Sequence, residues 1–371
     1  MKQLFALLVA LGAAAILASG AGARTFFLAS GSAYAPANFP SPGYQFLASP
    51  NPFTVPACAA DPCATPGAFI DANSAAEVSS LMSYAGGSLN LGNIYEGYPA
   101  DNTFPTYYAN NSDPAYVITC GGGCGAGSPV TVHIPNGATA SCGPDHHLIT
   151  INQQQGLEYD IYEFNNGAPG TSTNGSCAVV SGGGSIYAFS VGVCSPTAFT
   201  GNTNGCNNGG VAAEVPAQAV EFDPREVTTN GVINHVLYVA VGCGNASYVY
   251  PALNSDGLCG SSGPKYGQRI WLDLSDTAIA ALGNPAWATT ILKQMHHYGY
   301  MVIDNNGGVA GLDFANIGPT SFTLGGGTDP WPTFWLAATG SATSNFVAVP
   351  TTGISQSNIH ILGVCANTAS C

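Results

Sequence analysis

Residues 147–164 read His-Leu-Ile-Thr-Ile-Asn-Gln-Gln-Gln-Gly-Leu-Glu-Tyr-Asp-Ile-Tyr-Glu-Phe, and this stretch decides the fold class. It contains two short runs rich in apolar and aromatic residues, His147–Asn152 and Glu158–Phe164, separated by a polar segment that ends in glycine. Because β-branched and aromatic side chains fit a pleated, half-buried surface, each run predicts a β-strand.

The same pattern recurs along the rest of the chain. The further runs are Tyr116–Cys120, Val130–Ile134, Ser185–Val191, His235–Val241, Arg269–Leu274, Tyr300–Asp304, Asn345–Val349 and Ile359–Val364. With 48 glycines and 25 prolines to supply turns, these runs predict a mainly β protein, either a β-sandwich or a jelly roll. The sequence has no fixed-period repeat, which argues against a propeller or a solenoid.

One or two short helices are expected beside the strands. The apolar residues of 285–298 recur at helical spacing, and Gly299 suits the end of such a helix. A second helix is predicted over Ala75–Ala85, because Ser74 and Glu77 have the spacing of a capping box at its start.

The N-terminus has the features of an export signal. Lys2 precedes the uncharged apolar stretch Leu4 to Ser19, and Ala21-Gly22-Ala23 has the small residues of a cleavage site. We therefore expect a signal peptide over 1–23, a Pro- and Tyr-rich N-terminal extension over 24–112 that packs on the main domain, and a β-sandwich domain over 113–371. The mature protein is expected to be secreted or periplasmic, without membrane association.

The cysteines predict disulfide staples. All 12 lie after the signal peptide, and an even number in an exported chain indicates bridges. The close pairs Cys58/Cys63, Cys120/Cys124 and Cys365/Cys371 suggest small local loops. Cys120-Gly-Gly-Gly-Cys124 lacks the spacing of a Cys-x-x-Cys metal or redox motif, so no metal ion or cofactor is expected.

Charged side chains are scarce, and most of them are acidic. The chain has 6 Lys and Arg against 20 Asp and Glu, and its net charge is -14. An acidic surface repels nucleic acid and anionic lipid, so neither is an expected partner. An apolar content of 46% argues against disorder. A surface of amides and hydroxyls with many aromatic side chains suits a polysaccharide or another glycan.

One predicted strand carries three acids, Glu158, Asp160 and Glu163. In a regular strand Glu158 and Asp160 share a face, and a β-bulge near Ile161-Tyr162 would bring Glu163 to their side. Carboxylates over one groove supply the acid/base and the nucleophile or water activator of glycoside hydrolysis. The competing interpretation is an amphipathic edge strand with solvated acids.

This Glu-x-Asp-x-x-Glu run resembles the catalytic strand of laminarinase-like retaining glycoside hydrolases, which are jelly rolls. The resemblance implies that Glu158 is the nucleophile, Asp160 its helper and Glu163 the acid/base. That family also carries a Trp-Pro-x-Phe-Trp segment before its acids, whereas Trp331-Pro-Thr-Phe-Trp335 follows them here.

Asp145 and His147 form a second candidate pair, at the start of the preceding strand. They share a face there and could act as a carboxylate–imidazole pair in general acid/base chemistry. They are also metal-ligand types, but no third ligand lies at a convincing spacing. The alternative is a strand-start cap with hydrogen-bonded histidines.

A third set of candidates is scattered. Glu226 is the candidate catalytic acid of an acidic stretch, and His235, Arg269 and Asp304 join Tyr162 as candidate substrate-binding residues. Arg269 is expected to pair with a buried carboxylate, since cations are so few. Asp304 opens an Asp-Asn-Asn-Gly run, which favours the end of a hairpin.

From Asp145 to about Gly308 the chain resembles an uncharacterised family of secreted bacterial proteins. The segments that carry the resemblance are Asp145/His147, Tyr162-Glu163, Val215-Pro216, Glu226-Val227, Gly231–Leu237, Tyr248–Pro251, Gly267–Arg269 and Tyr298–Asn305. Their order and spacing agree with the family pattern. The resemblance implies that Glu163 is the main acid, and it implies no particular reaction.

These observations predict a secreted glycoside hydrolase that acts on a neutral polysaccharide, with Glu163 and one of Glu158, Asp145 or Glu226 as its acids. Exposed Trp and Tyr side chains would stack on sugar rings. A non-catalytic glycan- or matrix-binding protein is the first alternative, because it needs the same aromatic residues but no tuned acids. A polysaccharide lyase with His147 or a tyrosine as base is the second.

Overall fold

The computed structural model describes residues 52–58, 61, 63, 70–84, 86–96, 103–142, 145–152, 154–164, 180–195, 206–208, 211–307, 311–324 and 327–363. The predicted signal peptide, the first part of the predicted extension and the Cys365/Cys371 pair lie outside the described residues. The described chain forms two seven-stranded β-sheets, sheet I and sheet II, with helices beside them.

The described residues contain sixteen strands, most of them short. In chain order they are β1 (Asn93–Tyr95), β2 (Thr103–Phe104), β3 (Thr106–Ala109), β4 (Ala115–Cys124), β5 (Val130–His133), β6 (Leu148–Asn152), β7 (Leu157–Tyr162), β8 (Gly184–Cys194), β9 (Cys206–Asn207), β10 (Leu237–Val241), β11 (Arg269–Leu272), β12 (Tyr300–Asn305), β13 (Leu312–Asp313), β14 (Asn316–Ile317), β15 (Phe346–Ala348) and β16 (Ile359–Ile361). The α-helices are α1 (Ser74–Tyr84), α2 (Asp276–Ala281), α3 (Ala286–His297), α4 (Pro319–Thr323) and α5 (Trp331–Thr339).

Both sheets mix parallel and antiparallel pairs. Sheet I has the order β15-β1-β13-β10-β12-β11-β16, and its central strands β10 and β12 run parallel. Sheet II has the order β3-β6-β7-β8-β4-β5, with β9 paired to β8. In sheet II the β3/β6 and β4/β8 pairs are parallel, while β7 is antiparallel to both β6 and β8. Strands β2 and β14 form a separate parallel pair.

The predicted mainly β, disulfide-stapled fold is confirmed, and every predicted strand run and both predicted helices are present. The described disulfides are Cys58–Cys63, Cys120–Cys124, Cys194–Cys206 and Cys243–Cys259. The structure adds helices α2, α4 and α5 and the parallel pairings. Helix α5 forms where Trp331-Pro-Thr-Phe-Trp335 turns its aromatic side chains into the core.

Sheet I carries the larger hydrophobic core. Strand β10 is buried at every position, as expected for a strand that is covered on both faces. Helix α3 contributes Trp287, Ile291 and Met295 to this core. Helix α5 adds Trp331 and Trp335, whose stacked rings lie 5.3 Å apart between centroids. The apolar residues that predicted α3 therefore form its packed face.

Sheet II is covered on only half of its width. Strands β3, β6 and β7 are buried at nearly every position, and Ile149 and Ile151 of β6 belong to the same core as sheet I. Strands β4, β5 and β8 instead alternate between buried and exposed positions. The border between the covered and the open half therefore runs between β7 and β8, which are neighbours in the sheet.

The predicted N-terminal extension supplies strands to all the sheets. Strand β1 pairs in sheet I, β2 pairs with β14, and β3 pairs in sheet II. Helix α1 is tied to β16 because the hydroxyl of Ser74 accepts a hydrogen bond from the backbone N–H of Ile361 at 2.9 Å. No helix in the described part of the chain combines the length and the apolar character that crossing a membrane requires.

Candidate functional site

Five of the predicted site residues gather at the end of β7 where sheet II becomes open. They are Asp145, His147, Tyr162, Glu163 and Asp304, and we call them the boundary cluster. Asp145, Tyr162, Glu163 and Asp304 are half-buried, whereas His147 is buried behind them. Because they come from the start of β6, the end of β7 and the end of β12, only the folded chain brings them together.

The pairing of β6 with β7 explains why Asp145 and Glu163 are neighbours. The two strands are antiparallel, with Leu148 opposite Ile161, so the residues before β6 lie beside those after β7. The ladder continues past the strand ends. The backbone N–H of Glu163 donates to the carbonyl oxygen of Asp145 at 2.8 Å, and that of Phe164 donates to His146 at 3.1 Å.

Two residues of this region have backbone angles that side chains rarely adopt. His146 has φ 42° and Glu163 has φ 51°, both in the left-handed region. Glu214 also has a positive φ, of 52°, and two residues before it the backbone N–H of Ala212 donates to Asp304 Oδ2 at 3.5 Å. Such conformations cost on the order of 1–3 kcal/mol each and concentrate at functional sites. The conformation of Glu163 is thus consistent with a side chain held in place for chemistry.

Tyr162 is the centre of the boundary cluster. Its hydroxyl donates to Asp145 Oδ1 at 3.3 Å, and its ring lies 5.4 Å from that of His147 between centroids. Burial and the surrounding carboxylates, Asp145 first, raise the pKa of Tyr162. The hydroxyl therefore keeps its proton and acts as a hydrogen-bond donor.

Asp304 reaches the boundary cluster from sheet I. The hydroxyl of Tyr238 donates to Asp304 Oδ2 at 2.9 Å, and the backbone N–H of Asn305 donates to Oδ1 at 2.9 Å. The ring of Phe104 connects the two sheets, because it contacts both Tyr238 at 5.6 Å and His147 at 4.2 Å. The expected hairpin end at Asp304 is not formed, since β12 is followed by β13, which pairs with β10 instead.

Asp304 is the boundary-cluster acid with a strongly altered proton affinity. Burial, and after it the negative charge of Asp256, raises the pKa of Asp304 to about 7. Asp256 lies on the loop closed by Cys243–Cys259, where it accepts a hydrogen bond from Tyr266 at 2.6 Å and another from the side chain of Asn305. Asp256 was not among the predicted site residues, because a loop acid carries no periodic signal in the sequence.

Glu158 and Asp160 do not belong to this cluster. Strand β7 pairs with β6 without a bulge, so Glu163 is not brought to their side. Both side chains point into the interior, where Glu158 accepts from the backbone N–H of Gln218 at 3.0 Å and Asp160 from that of Ala217 at 3.2 Å. They are buried, so the alternative of a solvated edge strand is also wrong.

A third interior acid, Glu221, continues the buried layer. The hydroxyl of Thr106 donates a hydrogen bond to Glu221 Oε1 at 2.8 Å, and both residues are fully buried. Burial raises the pKa of Glu158, of Asp160 and of Glu221. Burial thus disfavours the charged form of these carboxyl groups, and their hydrogen bonds hold the covered half of sheet II against the chain at 217–221.

Glu226 and His235 form a buried pair of their own. His235 Nε2 lies 3.1 Å from Glu226 Oε2, and its Nδ1 lies 2.8 Å from the carbonyl oxygen of Val236. Neither side chain has meaningful solvent exposure. Next to them Arg225 pairs with Asp223, with the nitrogen and oxygen 2.5 Å apart. This arrangement has the form of a structural network rather than of a polymer-binding surface.

Arg269 has a structural position as well. Its guanidinium is 1% exposed and donates to the carbonyl oxygens of Val55, Tyr298 and Pro52, at 2.9, 3.0 and 2.5 Å. The expected carboxylate partner is thus replaced by carbonyl groups. Burial lowers the pKa of Arg269 to about 10. Its contacts fasten the segment at 52–58 to sheet I.

The tryptophans do not provide the expected exposed stacking surface. Trp271, Trp287, Trp331 and Trp335 are all buried, and these are the 4 tryptophans of the chain. An exposed aromatic residue does lie beside the boundary cluster: Phe189 of β8 is 46% exposed and meets the ring of Tyr162 edge-on at 5.8 Å. Phe189 was not among the predicted site residues.

The described residues contain no group of three or more His, Cys, Asp or Glu side chains placed to hold a metal ion. No family model matches the chain, and searches of curated proteins and of solved structures give no match either.

Proposed function

We propose that the protein is an exported glycoside hydrolase that cleaves a neutral polysaccharide at the boundary cluster. The observation that carries the proposal is the gathering of three half-buried carboxyl groups, Asp145, Glu163 and Asp304, around Tyr162. Glycoside hydrolysis needs one carboxyl group that holds a proton and one that does not, in a shared site.

Asp304 is assigned as the acid of this reaction. With a pKa of about 7, Asp304 retains a proton near neutral pH and can donate it to the oxygen of the leaving sugar. Glu163 is assigned as the nucleophile or as the base that activates water. Tyr162 donates to Asp145 and so orients a further carboxyl group beside the sugar ring, on which positive charge develops during the reaction.

The class of substrate follows from charge. The boundary cluster is acidic and the chain as a whole carries a net charge of -14, so an anionic polymer is repelled. The described disulfides and the signal-like N-terminus support export to an oxidising compartment.

The test is Glu163→Gln, with reducing-sugar assays on a panel of neutral polysaccharides. We expect the variant to lose at least ~100-fold in rate, the usual cost of removing an acid/base group, with an unchanged circular dichroism spectrum. Asp273→Asn, which removes an exposed carboxylate directly after β11, serves as the matched control.

Three outcomes decide between the candidate functions. Equal activity of Glu163→Gln and the wild type rules out the proposed role of Glu163. Glycan binding by the wild type without any cleavage product favours a non-catalytic binding protein. Ultraviolet absorbance from an unsaturated product favours a lyase.

A further inference from the structure

The open half of sheet II has an unusual floor next to the boundary cluster. Strand β4 contains three consecutive glycines, Gly121 to Gly123, enclosed by the Cys120–Cys124 disulfide. Glycine weakens a strand, because it adds no side-chain packing and costs backbone entropy on folding. Where it persists in a strand, it often marks a close approach of another group.

Here the approaching groups are two aromatic side chains of the neighbouring strand. A Cβ atom on Gly121 would overlap the hydroxyl of Tyr187, and one on Gly122 would overlap the ring of Phe189. Strands β4 and β8 are parallel neighbours, with Thr119 opposite Tyr187. Both aromatic side chains therefore lie across the glycine backbone of β4 instead of standing upright from the sheet.

This arrangement leaves aromatic surface open to solvent. Phe189 is 46% exposed, Tyr187 is half-buried, and Val117 beside them is 39% exposed. Phe189, Tyr187 and Val117 thus form a contiguous patch of exposed apolar surface, and such patches mark binding sites more often than single exposed residues do. A ring packed flat on glycine is, in addition, already fixed for binding.

We infer that Tyr187 and Phe189 form a platform on which the sugar rings of a neutral polysaccharide stack, and that the polymer runs from this platform into the boundary cluster. The inference rests on the proposed function and adds to it the length of the substrate. A platform outside the cluster binds sugar units other than those being cleaved, so the enzyme binds a polymer chain more tightly than a short substrate.

Charge and continuity select this occupant. Strands β4, β5 and β8 contain no Asp, Glu, Lys or Arg, in a protein that otherwise has 20 acids. A neutral ligand meets no unpaired charge there, whereas a charged partner would gain no ion pair. The ring of Phe189 also meets that of Tyr162 edge-on, with 5.8 Å between their centroids, so the platform adjoins the boundary cluster.

The chemistry of a pyranose ring fits the same surface. Its C–H faces are apolar and pack on aromatic rings, while its hydroxyl groups remain at the edge for polar partners. Hydroxyl groups for this purpose stand on the same strands, at Thr119, Thr131 and Ser185, all of them exposed.

The test compares two phenylalanines with nearly equal exposure. Phe189→Ala removes the platform ring, and Phe346→Ala removes a ring that is 45% exposed on β15 of sheet I. Binding is measured by retardation in native gels that contain a neutral glucan, xylan, mannan or galactan. We expect Phe189→Ala to weaken binding about tenfold or more and Phe346→Ala to leave it unchanged.

Two further variants separate stacking from simple apolar contact. Phe189→Trp should retain binding, and Phe189→Leu should lose it, because leucine is apolar but has no ring face. Three results would each overturn the platform. The two alanine variants could be retarded equally, Phe189→Leu could bind as the wild type does, or none of the four polymers could retard the wild type.

The experiment also separates the platform from the proposed reaction. Glu163→Gln should bind the polymer as the wild type does and fail to cleave it. Phe189→Ala should lose polymer affinity and still hydrolyse a small aryl glycoside. If the wild type cleaves nothing but the Phe189→Ala variant still loses binding, the hydrolase proposal fails and the platform stands.

Discussion

Replacing Asp304 with asparagine should have a small effect on the unfolding free energy at pH 4 and a larger effect on how that free energy changes with pH. The side chain accepts hydrogen bonds from Tyr238 and from the backbone of Asn305. An amide can satisfy one of these donors but presents its own N–H to the other. We therefore expect Asp304→Asn to cost about 1 kcal/mol at pH 4, where Asp304 is already protonated in the wild type.

The effect reverses as the pH rises. The pKa of Asp304 is raised from 3.8 to about 7 on folding, a difference that corresponds to ~4 kcal/mol. Because the folded protein favours the protonated acid, this stability is present below pH 4 and is lost progressively until the pH passes 7. Asp304 is half-buried, and solvent screening reduces the expected loss to roughly 2–3 kcal/mol.

Urea unfolding of both proteins with intact disulfides, at intervals from pH 4 to pH 9, measures the effect. The difference in unfolding free energy between variant and wild type should move in favour of Asp304→Asn by roughly 2–3 kcal/mol across that range. Asp273→Asn corrects for the loss of one exposed negative charge. A difference that stays constant with pH would refute the assignment of a raised pKa to Asp304.

Two other substitutions test the surroundings of the site. Asp256→Asn removes the negative charge that helps to raise the pKa of Asp304. The alkaline limb of the pH–activity profile should therefore move to lower pH by up to about one unit. An unmoved limb would contradict this role of Asp256. Arg269→Met removes hydrogen bonds to three carbonyl oxygens and should lower the unfolding free energy by about 3 kcal/mol. The segment at 52–58 should then be cleaved early by a protease. Resistance to proteolysis equal to that of the wild type would argue against the role of Arg269 in holding this segment on sheet I.

The longer strands could be predicted because their composition is local information. Runs such as His147–Asn152 and Tyr300–Asp304 are long enough for β-forming residues to stand out, and both are strands. Strands of two or three residues, such as β2 and β13, have no periodicity and exist because a neighbouring strand pairs with them. Parallel pairing likewise depends on how the chain connects the strands, and a short run of residues gives no information about that connection.

The site was predictable in part for the same reason. Asp145, His147 and Glu163 flank two strands that are adjacent in sequence, so their proximity follows from a single antiparallel pairing. Asp304 arrives from the other sheet. It was among the predicted substrate-binding residues, but its turn-like sequence gave no sign that it lies beside Tyr162. Glu158 and Asp160 were misjudged because alternation identifies the two faces of a strand but does not reveal that both faces are covered.

The described disulfides also bear on how the chain matures. They join cysteines only 5, 4, 12 and 16 positions apart, and short separations keep the effective concentration of one thiol near another high. Each pair of thiols can thus be oxidised to its disulfide as soon as the short loop between the two cysteines forms, before the two sheets pack together. Correct sulfur partners are selected by proximity along the chain, which reduces the need for later reshuffling among the remaining cysteines.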